Sequence, residues 1–460
     1  MNLRSRTGTR NFYKMILRIA VPMMIQNGLT NLVSLLDNLM IGRVGTNAIS
    51  GVAIANQLIF VYYLVIFGAT AGVGIFTAQF YGKGDDEGVR NSFRFKIVMN
   101  ICIAVLSTVF FALLSPQLIS LFLQGEGSAA DAKQTLVIGS EYMHIILISL
   151  VPIAVINAYS GTLRDTGNTG VPMFASMIAI TVNLIGNAIL IYGLFGLPRL
   201  GANGAAIATV ASRFVELSVL VIYTGTHSGR HRFIIGAWKH LTVPRDLAGK
   251  FILKSIPLMT NETLWSLSMT VINQCYSYRS LNAVAAVNIQ STIWNLIGVA
   301  FLAMGEAVGI IVGQELGAGD VGTAKDHAVK MRDFTVFCAV LCGGIMAAVS
   351  PFFPLLYNTN DEVRSLASAM ILIGGLFMPS VAYMHASYFI IRAGGNTLIT
   401  FLFDCCFSWL VEVPIAFFLS RYTSFSLPVM MVLIQSSDLI KCIIGGLMVR
   451  SGVWAKNIVK

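Results

Sequence analysis

Long apolar runs, separated by short polar stretches, leave this chain few ways to fold. Each run has about 20 or more mostly apolar residues, the length that an α-helix needs to cross the hydrocarbon layer of a membrane. The charged fraction is 11% and the mean hydropathy is +0.75, so one water-soluble core cannot take up the apolar surface. We therefore predict an all-α polytopic membrane protein with twelve transmembrane helices. The runs cover residues 15–40, 48–79, 95–123, 135–160, 169–195, 203–224, 250–277, 283–314, 334–357, 366–391, 398–420 and 427–449.

The chain also repeats itself. Residues 22–85 align without a gap with residues 257–320 at a constant offset of 235, and Pro22 aligns with Pro257. A second match, at an offset of 228, aligns residues 164–169 with residues 392–397. Because six spans separate the repeats, corresponding helices keep the same orientation. This predicts two six-helix lobes related by a pseudo-two-fold axis along the membrane normal, with a binding cleft between them, as in many membrane transporters.

The positions of lysine and arginine predict the orientation of the chain. Most of the 31 basic residues lie on the side of the amino terminus and of the loop 225–249. Positive residues stay on the cytoplasmic side during insertion, so we predict a multi-pass protein of the cell (plasma) membrane with both termini cytoplasmic. The predicted domains are an N-lobe, residues 1–224, a solvated basic cytoplasmic linker, residues 225–249, and a C-lobe, residues 250–460. The basic residues are dispersed over short segments, which argues against nucleic-acid binding.

Cysteine and histidine give no sign of catalytic or metal chemistry. All seven cysteines fall inside predicted spans, without the spacing of a disulfide framework or a zinc site. The only histidines in the spans are the isolated His144 and His385. We therefore predict no catalytic residues, no enzyme activity and no cofactor.

Charged side chains inside the spans need a reason, because each costs about 2.5–3.5 kcal/mol near the centre of a membrane helix. Arg213 with Glu216, and Asp438 with Lys441, are three residues apart, a spacing that places opposite charges on one helical face. We predict that both are structural ion pairs. The other intramembrane acids have no basic residue three or four positions away and are expected to be unpaired: Asp37, Glu262, Glu306, Asp404 and Glu412.

Polar side chains form stripes at helical spacing on three spans. They are Gln26, Asn27, Asn31, Ser34 and Asp37 on the first span, Asn183 and Asn187 on the fifth, and Glu262, Trp265, Asn273 and Tyr276 on the seventh. Such stripes face protein or a water-filled cavity, not lipid. Hydrogen bonding between helices accounts for some of them, at about 0.6 kcal/mol per bond. A lone carboxylate gains little from that role, so for Asp37 and Glu262 we favour binding of a proton or a sodium ion.

Several motifs follow one another in order along the repeat. They are Pro22, the Asp-Asn-Leu-Met-Ile-Gly of residues 37–42, the Gly-Ala-Asn-Gly-Ala-Ala-Ile-Ala-Thr of residues 201–209, the two Arg-x-x-Gly-Asn-Thr turns, and the Gly-Gln-Glu-Leu-Gly-Ala-Gly of residues 313–319. Together they resemble the motifs of MATE multidrug efflux transporters. The resemblance covers essentially the whole chain. It implies twelve helices in two lobes, and export of organic, lipophilic cationic compounds such as drugs in exchange for protons or sodium ions.

The resemblance also implies which residues couple the exchange. In the DinF-like branch of that family, an Asp of the first helix, an Asn and an Asp of the fifth and a Thr of the sixth form a network. Asp37, Asn183 and Thr209 match these positions, whereas Asn187 stands where that branch has its second acid. The NorM-like branch uses a Glu of the seventh helix, which Glu262 resembles. A coupling sodium ion is then expected at Asp37 or Glu262, with no other metal.

The substrate cavity is expected between the lobes. Its candidate residues are Gln26, Asn27, Asn31, Ser34, Trp265, Asn273, Tyr276 and Asp404. Asp404 is interpreted as replacing the acid that the NorM-like branch carries on its tenth helix, because residues 366–391 contain none. The protein is expected to be a monomer whose partners are small organic substrates and the lipid bilayer.

One alternative is a flippase for lipid-linked saccharides, which has a related architecture. The pyrophosphate of such a substrate is anionic and favours basic residues in the cavity. The intramembrane excess of charge in this sequence is acidic, so we favour the antiporter.

Overall fold

The computed structural model describes residues 8–123 and 129–460, and these residues form long α-helices joined by short turns. The α-helices are α1 (Arg10–Gly42), α2 (Thr46–Lys83), α3 (Asp86–Phe122), α4 (Ala129–Leu147), α5 (Leu150–Asp165), α6 (Gly170–Tyr192), α7 (Gly201–Thr226), α8 (Arg245–Ser277), α9 (Leu281–Gly317), α10 (Val321–Val349), α11 (Asp361–Ala393), α12 (Thr397–Phe401), α13 (Val413–Tyr422) and α14 (Leu427–Ser451). Two π-helical segments, Leu402–Cys406 and Ser408–Glu412, connect α12 to α13. Residues 1–7 and 124–128 of the predicted N-lobe lie outside the described residues.

The fold is that of a polytopic membrane protein, with fewer clear crossings than expected. Among the described residues, ten helical spans are long and apolar enough to cross a membrane, and α4 with α5, bent by 49°, makes an eleventh. The predicted span 250–277 lies in α8, which has the length but not the hydropathy of the other spans. Asn261 and Glu262 interrupt its apolar sequence. The count of twelve therefore remains a prediction.

The spans expose large apolar side chains on their outer faces. Leu106 and Leu113 of α3 are 71% and 70% exposed, and Leu410 is 75% exposed. Such continuous apolar surface is not stable in water and matches the lipid that surrounds a membrane protein.

The described residues form two compact units. The amino-terminal unit contains Ile25–Gly74 and Asp86–Lys250, and the carboxy-terminal unit contains the chain up to Met24, Ile75–Asp85 and Phe251–Lys460. The predicted domain boundaries, 1–224, 225–249 and 250–460, remain predictions.

The core of the amino-terminal unit lies among α2, α3, α4, α5 and α7. The Tyr62 hydroxyl, in the middle of this core, donates a 2.6 Å hydrogen bond to the main-chain oxygen of Leu150. Asn100 of α3 donates to Thr70 and to the main-chain oxygen of Ala154. The hydroxyl of Tyr62 and the amide nitrogen of Asn100 are thus paired inside this core, as a membrane interior favours.

Part of the basic linker packs against α3, although most of its basic residues are exposed, as the sequence predicted. Phe233 and Ala237 are buried, and the Phe233 ring lies 5.1 Å from that of Phe93. Arg94 of α3 donates hydrogen bonds to the main-chain oxygens of Gly236 and Ala237, at 2.8 and 3.1 Å. The apolar residues between the basic ones therefore anchor this segment on α3.

The carboxy-terminal unit includes the last turns of α2 and the end of the chain. Gln79 of α2 donates to the main-chain oxygens of Ala393 and Lys456, at 2.9 and 3.1 Å, and accepts from the Ile458 amide at 2.8 Å. Trp454 of the same tail is buried in the apolar core that α9 and α10 share. The tail after α14 is therefore part of the fold.

The repeat is visible in the backbone. Gly167 and Gly395, aligned at the offset of 228, both have a φ of +78°, a conformation that L side chains rarely adopt. The two Arg-x-x-Gly-Asn-Thr turns thus use the same geometry.

Candidate functional site

The four residues predicted to couple transport in the amino-terminal unit form one hydrogen-bonded chain. Asn187 Nδ2 donates to Asp37 Oδ1 at 2.6 Å and to Asn183 Oδ1 at 3.3 Å. Asn183 Nδ2 donates to Thr209 Oγ1 at 3.1 Å. Both asparagines are buried and Asp37 is half-buried. Three helices, α1, α6 and α7, therefore bring together residues that are far apart in sequence.

The chemistry of this chain of residues suits a cation. Asn187 Oδ1 is buried and has no hydrogen-bond partner within residues 8–123 and 129–460. It lies beside a carboxylate that accepts from the same amide group. Oxygen atoms of carboxylates and amides are the ligands that hard cations prefer, and a protonated carboxyl also donates to such an oxygen.

A second chain of polar residues lies about three turns from Asp37, toward the amino-terminal end of α1. Gln26 donates to Ser176 at 2.7 Å and accepts from Arg164 at 2.8 Å, while Ser176 donates to Glu216 at 2.7 Å. The predicted pair of Arg213 and Glu216 is confirmed as an ion pair of 2.7 Å. Gln26 thus connects α1, α5 and α6, and its part in substrate binding remains a prediction.

The other candidates on the first span are spread along α1. Asn27 is half-buried, whereas Asn31 and Ser34 are exposed. Ser34 donates to the main-chain oxygen of Thr30, one turn earlier. The described contacts of Asp37 do not include these side chains.

The Glu262 carboxylate lies in the carboxy-terminal unit, at one end of a longer network. The Tyr388 hydroxyl of α11 donates to Glu262 at 3.3 Å. Asn261 donates to Tyr388 at 3.4 Å and to Asp404 at 3.1 Å. Tyr388 was not among the predicted site residues, although it lies one helical turn before Arg392, a residue of the repeated turn motif.

The prediction of an ion pair between Asp438 and Lys441 was wrong, and so was the expectation that Asp404 and Glu412 are unpaired. Lys441 Nζ lies 3.3 Å from both Asp404 Oδ1 and Glu412 Oε1. The partners come from another helix, and the spacing within α14 could not reveal them. Glu306 also has a partner among the described residues.

Asp37 and Glu262 keep the property for which they were chosen. Neither forms an ion pair in the part of the chain that the structure describes. The positive charge of Arg213 acts on Asp37, and that of Arg392 on Glu262, without direct contact. The two carboxylates belong to different units.

The remaining candidates on the seventh span differ in exposure. Trp265 is 39% exposed and Asn273 is exposed, whereas Tyr276 is 6% exposed in the core of the carboxy-terminal unit. Tyr276 therefore lies inside the unit and Asp404 is half-buried, and the role of both toward substrate remains a prediction.

Comparison with known proteins identifies the family. The MatE family model matches residues 22–189 and 257–418. The chain is 24% identical over 415 residues to the "Probable multidrug resistance protein YoeA" of Bacillus subtilis, covering 88% of this chain and 86% of that protein. It is 25% identical over 416 residues to the "Probable multidrug resistance protein NorM" of Thermotoga maritima, covering 89% and 86%. The solved structure of the Vibrio cholerae MATE transporter VcmN superposes with a TM-score of 0.87 at 18% identity, covering 99% of both chains.

Proposed function

The chain belongs to the MATE family of membrane transporters, and on that premise we propose that it is a secondary active multidrug efflux antiporter. It exports organic, lipophilic cationic compounds in exchange for protons or sodium ions. Relatives at 24% and 25% identity carry multidrug resistance names, which supports drugs as substrates. The family is one of transporters and not of enzymes.

One observation carries the coupling part of the proposal. Asp37 lies at the end of the hydrogen-bonded chain through Asn187, Asn183 and Thr209, in a membrane helix and without an ion pair among the described residues. A partly buried carboxylate in a membrane helix, without a counter-ion, favours uptake of a proton or a metal cation. Glu262, held by Tyr388, offers a second group of the same kind. Binding of the cation biases the equilibrium between two conformations by its different affinity for them.

The proposal extends to the location of the protein. From the distribution of basic residues we infer that it lies in the cell (plasma) membrane with both termini cytoplasmic, and we propose that it is a monomer. Its partners are small organic substrates and lipid.

The test is export of ethidium or norfloxacin from energised vesicles that contain the protein. We expect transport to be lost when Asp37→Asn and Glu262→Gln are combined. Asp361→Asn is the control, because the Asp361 side chain is 99% exposed at the start of α11. Wild-type transport by the double variant would refute carboxylate coupling.

The coupling ion is decided by a second experiment. Uptake of ethidium, a fluorescent cation, into inverted vesicles is measured with a sodium gradient in one arm of the experiment and with a pH gradient in the other. Transport that follows neither gradient would contradict antiport.

The flippase alternative gains no support from Arg213 and Lys441, two basic residues within the helices. Arg213 is neutralised by Glu216, and Lys441 by Asp404 and Glu412. Neither is left to bind a pyrophosphate.

A further inference from the structure

The linker, residues 225–249, has a defined position on α3. The Phe233 ring packs on that of Phe93, with ring centroids 5.1 Å apart. Trp238 lies edge-on to the same ring of Phe93, at 6.3 Å. The Arg94 guanidinium donates hydrogen bonds to two main-chain oxygens of the linker, at 2.8 and 3.1 Å. The depth of the linker in the membrane therefore follows from that of the first turns of α3.

The contact between the linker and α3 is at the boundary between membrane and water. Residues 97–122 of α3 contain no Asp, Glu, Lys or Arg, and at about 1.5 Å per residue they are long enough to cross about 30 Å of hydrocarbon. Phe93 and Arg94 lie about one turn before this stretch. The span α7 ends at Thr226, and the chain continues directly into the linker. The linker therefore lies at the depth of the lipid headgroups.

Several large apolar side chains of the linker are exposed at this depth. Ile235 is 51% exposed, Trp238 is 52% exposed and Leu241 is 42% exposed, whereas their neighbours Phe233 and Ala237 are buried on α3. Tryptophan favours the interface between membrane and water, because its ring is apolar and its N–H group is polar. Lipid is thus a favourable cover for these exposed groups.

The same segment is positively charged. Against one acid, Asp246, it has four basic residues, Arg230, Arg232, Lys239 and Arg245. Arg232 has Asp86 of α3 as a partner, at 3.4 Å. The other three basic residues are exposed and form no ion pair within residues 8–123 and 129–460. Basic segments beside a membrane span are attracted to anionic lipid, so the charge of the linker complements such a surface.

We propose that the linker is a docking surface for the anionic phospholipid headgroups of the surrounding membrane. Ile235, Trp238 and Leu241 insert among the lipids. The linker cations, Arg230, Lys239 and Arg245, donate hydrogen bonds to the lipid phosphates, whose oxygen atoms are strong acceptors for charged donors. Docking of this kind is independent of antiport, because none of these residues belongs to the candidate coupling site.

Hydrogen–deuterium exchange of the full-length protein in lipid nanodiscs tests the docking. One set of discs contains phosphatidylcholine alone, and the other contains phosphatidylcholine mixed with phosphatidylglycerol, at the same pH. Lipid that binds only the docked linker makes opening of the linker rarer by mass action. We expect slower exchange of residues 232–241 in the anionic discs. The slowing should be lost in about 1 M salt, where charges are screened beyond about 3 Å.

Charge-matched variants separate binding at the linker from general effects of an anionic surface. A variant with all three linker cations changed to glutamine should lose the slowing. The control removes three exposed basic residues elsewhere in the same unit and should keep it: Arg43→Gln, Lys133→Gln and Arg199→Gln. Equal exchange of the wild-type protein in both kinds of disc would overturn the proposal, and so would slowing that persists in the linker variant.

A further arm of the experiment distinguishes lipid from a soluble anion. Inorganic phosphate is added to the discs of phosphatidylcholine alone, and it should leave the exchange of residues 232–241 unchanged. Slowing by inorganic phosphate would assign the linker cations to a soluble anion and would overturn docking to lipid.

Fluorescence quenching tests the apolar part of the surface and does not depend on the charge variants. Phospholipids brominated near the headgroup end of the acyl chain quench a tryptophan that contacts them. Trp238→Phe keeps an aromatic ring beside Phe93 and should lower the quenched fraction of the fluorescence of the protein. Trp454→Phe is the control and should not lower it, because Trp454 is buried. An undiminished quenched fraction in Trp238→Phe would show that Trp238 faces water, which contradicts its insertion among lipids.

Discussion

Asn187 Nδ2 donates a 2.6 Å hydrogen bond to Oδ1 of Asp37, joining α6 to α1. Gln26 and Ser176 form an equivalent contact between the same helices, and both pairs are 150 residues apart in sequence. The two helices therefore run in the same direction with matched polar faces. The position of Asp37 depends on this packing, and the contact is open to a direct energetic test.

A double-mutant cycle with Asp37→Asn and Asn187→Leu should give a coupling free energy of about 0.5–3 kcal/mol, the range for residues in direct contact. The free energy of unfolding of each purified variant provides the measurement. Pairing Asn187→Leu with Asp361→Asn, an exposed residue of the other unit, should give no coupling. If the effects of Asp37→Asn and Asn187→Leu on the free energy of unfolding simply add, the contact does not stabilise the protein.

The second prediction concerns two glycines that the repeat places in equivalent contacts. A Cβ atom added at Gly82 would meet the main-chain carbonyl of Gln314, and one added at Gly317 would meet that of Gln79. Main-chain atoms cannot move aside as a side chain does, so Gly82→Ala and Gly317→Ala should each destabilise the protein by about 1–3 kcal/mol.

Thermal unfolding of the purified variants measures this effect. Gly344→Ala on α10 is the matched control, because a Cβ atom there meets nothing within 4 Å. It should be neutral or stabilising, since alanine favours a helix over glycine by about 1 kcal/mol. Equal melting temperatures for all three variants would contradict the close contact.

The third prediction concerns the buried ammonium group of Lys441. Lys441→Met leaves Asp404 and Glu412 without their shared counter-ion, and removing one partner of a buried ion pair costs about 3–5 kcal/mol. Lys330→Met should cost no more than about 1 kcal/mol, because its partner Asp326 is 53% exposed.

Denaturation of the two variants side by side compares the costs. Adding Asp404→Asn and Glu412→Gln to Lys441→Met should recover part of the lost stability, because the orphaned charges are then gone. A triple variant less stable than Lys441→Met alone would argue that the acids are held by contacts other than Lys441.

The fourth prediction is a pH effect in the linker. Burial, together with the positive charges of Arg230 and His227, lowers the pKa of His231 below its ordinary value of 6.5. The unfolded segment then binds the proton more tightly than the folded one. The stability that neutral His231 provides is present above about pH 6.5 and is lost as the pH falls through the lowered folded-state pKa.

Hydrogen–deuterium exchange of residues 227–240 measures this loss. Acidification from about pH 7.5 to about pH 5.5, corrected for the intrinsic rate, should increase exchange in the wild-type protein. His231→Phe keeps a packed ring that cannot take a proton and should abolish the increase. His240→Phe, at an exposed position, should leave it unchanged. An undiminished acid effect in His231→Phe would exclude His231 as its source.

Much of the architecture was predictable because it depends on local sequence. The apolar runs predicted the helical spans to within a few residues at most ends, and the aligned glycines predicted matching turns at Gly167 and Gly395. The pair of Arg213 and Glu216 was predictable as well, since both lie on one face of α7. The span in α8 remains a prediction because its hydropathy is lower than that of the other spans, although its polar Asn261 has a partner inside the protein.

Other features were decided only when the helices packed. The sequence by itself determined a membrane protein of the MATE type, because hydropathy, turn glycines and spacing on a helix are properties of neighbouring residues. The tertiary structure alone decided that Lys441 pairs with Asp404 and Glu412 instead of Asp438, and that Asn187 contacts Asp37. A buried charge takes the partner that lies within reach across a helix interface, and that distance is set by packing, not by position in the sequence.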